Sequence, residues 1–219
     1  SAMMMKSSGY DSQALVYGEV DFGPFVEVLQ EALKGIKRAI KFVDLGHGIG
    51  RAAIVAALTM DFDEILGFEV LKELHEKSES IVARYTSLTS DMCHTCFDLR
   101  CGSFLDPENV AEWIDADVIF ANSTCFPDSL VAAIEELCKQ TEPGTRIITF
   151  TSRFSSTTHF RVLYSKQQIM SWGYATVFVH EKLQVSDADD IMLQATMARQ
   201  EARHRIESLL ADINGGDDY

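Results

Sequence analysis

Apolar and polar positions alternate along most of the chain in two patterns, one typical of short buried strands and the other of amphipathic helices. Between Phe22 and Leu33 the apolar residues recur at helical spacing, and Gly35 follows as a stop signal. The apolar run Lys41–Leu45 then predicts a strand, and strands and helices alternate from there. The predicted helices are Phe22–Leu33, Arg51–Met60, Leu71–Tyr85, Pro107–Trp113 and Ser129–Lys139, and the predicted strands are Lys41–Leu45, Glu64–Glu69, Asp98–Ser103, Ala116–Ala121 and Arg146–Thr151.

The alternation of strands and helices predicts an α/β fold, because parallel strands are joined by right-handed helical crossovers. Arg161–Tyr164 and Ala175–Leu183 add two extended segments with no long helix after them. The prediction is therefore a mostly parallel sheet of seven strands that finishes with an antiparallel, hairpin-like edge. Residues 1–16 are expected to be a flexible lead-in, with Ser1-Ala2 as an expression remnant, and 17–187 to form the domain. Residues 188–219 are predicted to form an amphipathic helix and an acidic tail.

Charge narrows the choice of partners. The 219 residues include 19 Lys and Arg against 33 Asp and Glu, which gives a formal net charge of -14. A domain this acidic is not expected to bind nucleic acid strongly by neutralising phosphates, so a basic protein is the favoured partner. The sequence contains no apolar run near the roughly 18 residues that span a bilayer. We expect an intracellular protein with no membrane contact, and the sequence leaves its oligomeric state open.

The cysteine pattern raises the question of a metal site. Cys93, Cys96 and Cys101, with His94 between the first two, have side chains that zinc prefers. A structural zinc site normally needs a second ligand pair at a regular distance, and none follows. We therefore predict free thiols and no metal.

A glycine-rich loop is the sharpest local signal. It reads Asp44-Leu45-Gly46-His47-Gly48-Ile49-Gly50-Arg51 and lies where the first predicted strand turns into a helix, a position typical of nucleotide-like ligands. Dinucleotide binding would require a glycine where Arg51 stands. An acidic residue followed by GxGxG instead favours S-adenosylmethionine, whose cationic groups prefer a carboxylate such as Asp44. Glu69 ends the second predicted strand, where a carboxylate can accept both ribose hydroxyls.

Three segments together carry a resemblance to a known family. They are Tyr17-Gly18-Glu19-Val20, the glycine loop Asp44–Gly50, and Val118–Phe126. With them the chain resembles the disruptor of telomeric silencing (Dot-one-like) family, the histone lysine methyltransferases that lack a SET domain. The resemblance runs from about Tyr17 to Leu183. It implies a Rossmann-like class I methyltransferase that uses S-adenosylmethionine, releases S-adenosylhomocysteine and acts in the nucleus if a histone is the acceptor, or otherwise in the cytoplasm.

The resemblance also implies roles for individual residues. The catalytic set is Asn122 beside the transferred methyl group, Phe126 as an aromatic wall, and Trp172 at the acceptor channel, although Trp172 could equally be a core residue behind a tight turn. Phe154 is a further candidate wall. Ser103-Phe104 stand where the family usually has Asp-Phe at the adenine, and Arg51 replaces a common glutamine. The cofactor set is Tyr17, Gly18, Glu19, Val20, Asp44, Leu45, Gly46, His47, Gly48, Gly50, Arg51, Glu69, Ser103, Phe104 and Asn122.

Two other functions remain open from the sequence. Asn122 also stands where adenine-N6 methyltransferases begin an Asn-Pro-Pro-aromatic motif, but the segment Asn122–Phe126 contains neither proline. A nucleic acid or a small-molecule amine is thus the alternative acceptor, besides a non-histone protein. A binding module that keeps the cofactor fold without catalysis is the third possibility, and a turnover assay separates it from the enzymes.

Overall fold

The computed structural model describes residues 18–89, 94–170 and 173–186, together with Arg199, Arg203 and Arg205. Tyr17, Cys93 and Trp172 lie outside these ranges, as does most of the predicted C-terminal segment 188–219. The three arginines are helical and exposed. Contacts divide the chain into two units, 1–183 and 184–219, and the sheet belongs to the first. The predicted domain boundaries at 16/17 and 187/188 involve residues outside the described ranges and stay predictions.

A mostly parallel sheet of seven strands forms the centre of the first unit, as predicted, in the order β3-β2-β1-β4-β5-β7-β6. The strand β7 runs antiparallel to both of its neighbours, and β6 forms the outer edge. The inner strands are almost entirely buried and mostly apolar, because helices cover both faces of the sheet. The strands are β1 (Lys41–Leu45), β2 (Glu64–Glu69), β3 (Cys96–Cys101), β4 (Val118–Ala121), β5 (Arg146–Phe150), β6 (Phe160–Met170) and β7 (Gly173–Lys182).

Helices cover both faces of the sheet. On one face the buried residues of α1 and α2 form a hydrophobic cluster with the strands, and Tyr85 of α3 joins it. On the other face Trp113 of α4 and the apolar side of α5 form a second cluster. The helices are α1 (Phe22–Leu33), α2 (Arg51–Thr59), α3 (Lys72–Thr89), α4 (Pro107–Trp113) and α5 (Asp128–Cys138). A short 3-10 helix, Ser123–Cys125, follows β4.

Most element bounds agree with the sequence-based predictions, and the largest difference is in β6. The predicted segment Arg161–Tyr164 covers only part of this strand, which continues to Met170. Exposed polar residues follow Tyr164, and they give no regular apolar alternation from which a strand can be recognised. Backbone pairing with β7 extends the strand nevertheless. No helix in the described part of the chain is long and apolar enough to cross a membrane.

The strand order places a crevice beside the middle of the sheet. The connections from β1 lead outwards to β2 and β3, whereas β4 and β5 lie on the other side of β1. In open α/β sheets ligands bind outside the carboxyl ends of the strands at such a switch point. The glycine loop follows β1 and Asn122 follows β4, so the topology brings both to this crevice.

Candidate active site

One cleft lies over the carboxyl ends of β1, β2 and β4 and encloses about 850 Å³, part of it open to solvent. Its walls combine the segment before α1, the glycine loop and the ends of the two neighbouring strands. The predicted residues that line it are Gly18, Glu19, Val20, Asp44, Gly46, His47, Arg51, Glu69, Phe104, Asn122 and Phe126. Residues predicted from segments far apart in sequence are thus brought into a single cavity.

Asp44 is the most unusual group in the cleft. Its side chain is only 1% exposed, and neither carboxylate oxygen has a hydrogen-bond partner in the described part of the chain. Burial, followed by repulsion from Glu69, raises the pKa of Asp44 to about 8. A buried carboxylate without a partner is costly, and a cation in the cleft would remove that cost. Asp44 therefore marks a place for a positively charged group of a ligand.

Glu69, by contrast, is held firmly. Its Oε2 accepts the backbone N–H of Gly48 at 2.9 Å, and its Oε1 accepts that of Leu71 at 2.8 Å. Burial raises the pKa of Glu69, while these two N–H groups act in the opposite direction. Each carboxylate oxygen keeps a further lone pair for a ligand hydroxyl.

The glycine loop turns tightly because its glycines adopt conformations that other residues avoid. Gly50 has φ +82° and immediately precedes α2, and Gly46 has φ +94°. A Cβ on Gly46 would lie 3.5 Å from the ring of Phe126 and would project towards the aromatic side of the cleft. The N–H of Gly46 donates to the Phe68 carbonyl at 2.9 Å, which fixes the loop to β2.

The segment ahead of α1 contacts the cleft through two polar contacts. Asn122 Nδ2 donates to the Gly18 carbonyl at 2.7 Å. Arg51 Nη1 lies 2.8 Å from Glu19 Oε2, in an ion pair between the start of α2 and this segment. Val20 is 2% exposed and belongs to the core. The segment is thus seated against the glycine loop and the end of β4.

Asn122 is oriented from both sides of its amide. Its Nδ2 is used by Gly18, and its Oδ1 accepts the hydroxyl of Thr124 at 3.2 Å. The amide oxygen retains a second lone pair. Phe126 lies beyond it and stacks loosely on Phe104, with ring centroids 6.3 Å apart. The cleft therefore offers an uncharged acceptor beside an aromatic wall.

Some predicted residues do not line the cleft. Leu45 is buried in the core, and Gly48 and Gly50 shape the loop from behind. The Ser103 hydroxyl accepts the N–H of Leu105 at 3.1 Å and so stabilises a turn. Phe154 as a channel wall is wrong, because its ring is 3% exposed and stacks on His180 in the core. Tyr17 and Trp172 lie outside the described residues, and their predicted roles stay predictions.

The sequence analysis missed several apolar lining residues. They belong to β2 and β4, to the segment after β2 or to helices, and in the sequence they look like ordinary core positions. Val70 and Leu71 come directly after Glu69, and Leu74 lies in the first turn of α3. Their closeness in sequence to the predicted ribose carboxylate was the available signal. The missed residues are Ala52, Phe68, Val70, Leu71, Leu74, Phe120 and Leu130.

The predicted absence of a metal stays a prediction, since Cys93 is outside the described ranges. Cys96 and Cys101 begin and end β3, and both are exposed thiols. Among the described residues no group of three or more His, Cys, Asp or Glu side chains is arranged to hold a metal ion.

The donor set of the cleft fits an adenosyl amino acid. A buried carboxylate suits a cationic end, a carboxylate held by two N–H groups suits a ribose diol, and Phe104 offers an aromatic face for a base. The fold and the cleft are those of the class I S-adenosylmethionine-dependent methyltransferases. Within that class, the chain belongs to the family described as "Histone methylation protein DOT1", whose model matches residues 6–189.

Curated relatives agree with this family. A histone-lysine N-methyltransferase of Eremothecium gossypii, H3 lysine-79 specific, is 30% identical over 139 residues, which cover 61% of this chain and 24% of that protein. A protein of the same description from Caenorhabditis elegans is 24% identical over 212 residues, covering 88% of this chain and 22% of that protein. The chain thus spans about a quarter or less of the length of these relatives.

Solved structures support the fold. An O-methyltransferase of Bacillus cereus, in complex with S-adenosylhomocysteine, superposes with a TM-score of 0.57 at 16% identity, over 83% of this chain and 95% of that one. An rRNA methylase of Streptococcus thermophilus superposes with a TM-score of 0.55 at 14% identity, over 72% and 95%. These neighbours act on different acceptors. The similarity therefore establishes the fold, and the acceptor has to be inferred from the residues of the site.

Proposed function

We propose that this protein is an S-adenosylmethionine-dependent protein-lysine N-methyltransferase, with a core histone as the favoured acceptor and the nucleus as its place of action. The buried, unpartnered carboxylate of Asp44 in the cleft carries the cofactor assignment. Membership of the DOT1 family and relatives described as H3 lysine-79 specific support the histone acceptor. The net charge of -14 favours a basic protein over a nucleic acid.

The proposed cofactor contacts follow from the charges in the cleft. Asp44 accepts the ammonium of the cofactor's amino acid, and Glu69 accepts the ribose hydroxyls with the lone pairs that Gly48 and Leu71 leave free. Arg51 lines the same cleft and shares its guanidinium between Glu19 and the cofactor's carboxylate, because a guanidinium has five N–H donors. Phe104 covers the adenine, and the neighbouring Ser103 is engaged in its own turn.

When bound, S-adenosylmethionine supplies a methyl group on a sulfonium, which a neutral amine can displace directly. The protein's part is to align that amine and to keep it uncharged. A lysine has an unperturbed pKa of about 10.4, and an apolar wall lowers it by disfavouring the charged form. Phe126 is the described candidate for this wall, and Trp172 remains a predicted one.

Asn122 is proposed to orient the amine through its Oδ1. The Gly18 carbonyl accepts a hydrogen bond from the Nδ2 of this amide at 2.7 Å, which keeps the amide oxygen turned away from that carbonyl. A carboxylate at this position would favour the protonated, unreactive amine, whereas an amide oxygen accepts a hydrogen bond without adding charge. The role is therefore one of positioning at the reacting nitrogen.

Radiolabelled methyl transfer tests the proposal. The protein is offered labelled S-adenosylmethionine with free core histones, nucleosomes, DNA, RNA and a cell lysate in parallel, and labelled products are located by mass spectrometry. We expect label on lysine of a histone, and a loss of rate of about 100-fold or more in Asn122→Ala. The control is Gln140→Ala, since Gln140 is an exposed amide that does not line the cleft. Label on nucleic acid would overturn the assignment of lysine as the acceptor. Label on a single non-histone protein would overturn the assignment of a histone as the acceptor.

A further inference from the structure

A second histidine lies behind the glycine loop, outside the cleft. His75 belongs to the first turn of α3 and is 9% exposed, and it is not among the cleft-lining residues. Its Nδ1 lies 3.5 Å from Nε2 of His47, which does line the cleft. The two rings are tilted, with centroids 5.6 Å apart. The pair joins a cofactor-loop residue to the helix that follows Glu69.

The hydrogen bonds determine which nitrogen of each ring carries a proton. His47 Nδ1 lies 2.8 Å from the carbonyl oxygen of Gly48, and a carbonyl can only accept, so Nδ1 carries the proton. Burial lowers the pKa of His47 to about 4, so the ring is neutral and its Nε2 is an acceptor. With that tautomer of His47, the 3.5 Å contact is a hydrogen bond only when His75 Nδ1 carries a proton. The other ring nitrogen of His75, Nε2, lies 3.7 Å from Glu79 Oε1.

These contacts close a ring of hydrogen bonds around Glu69. The N–H of Gly48 donates to Glu69 Oε2, and the N–H of Leu71 donates to Oε1. The carbonyl of Leu71 accepts the N–H of His75 at 3.0 Å. The side chain of His75 contacts that of His47. His47 in turn donates to the carbonyl of Gly48, the residue whose N–H binds Glu69. The loop, the carboxylate and the first turn of α3 therefore constrain one another.

The sheet leaves room for this arrangement at Gly67 in β2. A Cβ on Gly67 would lie 3.1 Å from His47 Cδ2 and 2.8 Å from Leu99 Cδ2. Any larger residue at this position would therefore crowd Leu99 and the His47 side chain, and the absence of a side chain at Gly67 leaves the space that His47 occupies.

We propose that His75 is a positioning residue that acts through His47: the pair fixes the Gly48 backbone and the Glu69 carboxylate so that the remaining lone pairs of Glu69 face the ribose hydroxyls of the bound cofactor. This inference rests on the proposed use of S-adenosylmethionine. It adds a residue that touches neither cofactor nor acceptor, and it assigns to His75 an effect on one part of the cofactor alone.

The test compares two variants and two ligands by calorimetry. His75→Leu removes the donor, whereas His75→Gln keeps an N–H that can reach His47. S-Adenosylhomocysteine and its 2′,3′-dideoxy analogue share every group except the ribose hydroxyls. We expect His75→Leu to weaken S-adenosylhomocysteine binding about 5- to 10-fold, to change binding of the dideoxy analogue less than about 2-fold, and to be rescued by His75→Gln. In a Glu69→Ala background the same change should have no further effect.

A matched control separates positioning from a general loss of structure. His159 is a buried histidine, 6% exposed, that does not line the cleft. His159→Asn is expected to lower the thermal midpoint yet leave S-adenosylhomocysteine affinity unchanged. Equal weakening of both ligands by His75→Leu would show that the residue only supports the fold, and would overturn the proposal.

Nitrogen-15 NMR of the imidazoles gives a second readout that needs no ligand. The proposal requires a proton on Nδ1 of both His47 and His75, and none on Nε2 of His47. An Nε2–H form of His47 would overturn it, even if binding were normal. If the wild-type protein failed to bind S-adenosylhomocysteine at all, the proposed function and the ribose assignment would both be wrong. If it binds normally but His75→Leu does not discriminate between S-adenosylhomocysteine and the dideoxy analogue, only the role of His75 is refuted.

Discussion

Two buried carboxylates lie side by side in the cleft, and their surroundings give them different properties. Glu69 receives two backbone N–H groups, whereas Asp44 receives none within the described residues. Burial raises the pKa of both, and the pKa of Asp44 reaches about 8. Asp44 is therefore protonated in much of the ligand-free protein at neutral pH, whereas the carboxylate of Glu69 is held by two backbone donors.

The raised pKa of Asp44 makes stability depend on pH. In the unfolded chain the pKa of an aspartate is about 3.9, so between about pH 4 and pH 8 the folded protein holds a proton that unfolding releases. The free energy of unfolding then decreases as the pH rises through this window. Asp44→Asn removes the effect, and calorimetry of ligand-free protein should show a gain in the thermal midpoint that is about 7 to 15 °C larger at pH 8 than at pH 5.

Asp61→Asn is the control for this experiment, because Asp61 is exposed and its substitution removes the same charge. It should give the same small midpoint change at both pH values. A midpoint gain for Asp44→Asn that did not vary with pH would contradict the expectation.

At Glu69 we expect a loss of cofactor affinity. Glu69→Ala removes the proposed charged acceptor of the ribose hydroxyls, a loss of about 1.5 to 3 kcal/mol in total, which corresponds to a decrease of about 10- to 150-fold in affinity for S-adenosylhomocysteine. Calorimetric titration measures it. Glu73→Ala serves as the matched carboxylate control, since Glu73 lies in the first turn of α3 and does not line the cleft. Undiminished binding in Glu69→Ala would remove the ribose assignment.

Among the elements, the segment ahead of α1 decides how the cleft is covered. Gly18 and Glu19 contact Asn122 and Arg51 across the cleft, and Val20 is buried. A bound ligand adds contacts to the same segment, so hydrogen exchange at 18–20 should slow several-fold on adding S-adenosylhomocysteine. Arg51→Met removes the ion pair and should speed exchange there. Exchange in the hairpin of β6 and β7 is the internal control, and unchanged exchange at 18–20 would contradict a covering role.

The elements also show what the sequence can predict. The helix Phe22–Leu33 and the strands Lys41–Leu45 and Glu64–Glu69 have the predicted bounds, because apolar runs there have the period of their element. The length of β6 is set by its backbone pairing with β7, which the spacing of apolar residues does not reveal. The polar residues of the cleft belong to recognisable sequence motifs. An apolar lining residue such as Leu74 cannot be told in the sequence from an ordinary buried helix position. Phe154 was misassigned because an aromatic side chain alone does not distinguish a channel wall from the core.

At the scale of the whole molecule, charge governs the choice among basic acceptors. The net charge of -14 attracts a free histone and repels nucleosomal DNA. Under equal conditions at low salt, we expect the initial rate on free histones or basic peptides to exceed that on nucleosomes by about tenfold or more. Raising the ionic strength should reduce the rate on free histones, because screening weakens the attraction. A faster rate on nucleosomes, with the same purified protein, would contradict this expectation.

The hydrogen bond between Asn122 and Gly18 has a consequence for the order of events in turnover. The amide proposed to orient the acceptor donates a hydrogen bond to Gly18, in the segment proposed to cover the cofactor, so we expect the acceptor position to be complete only once that segment is seated. Catalysis should then be sequential and ordered, with S-adenosylmethionine entering first and S-adenosylhomocysteine leaving last. Under this order the spent cofactor competes with the fresh one and is a noncompetitive inhibitor towards the protein acceptor. The ratio of the two cofactor forms around the enzyme would therefore set its rate even when the acceptor is abundant.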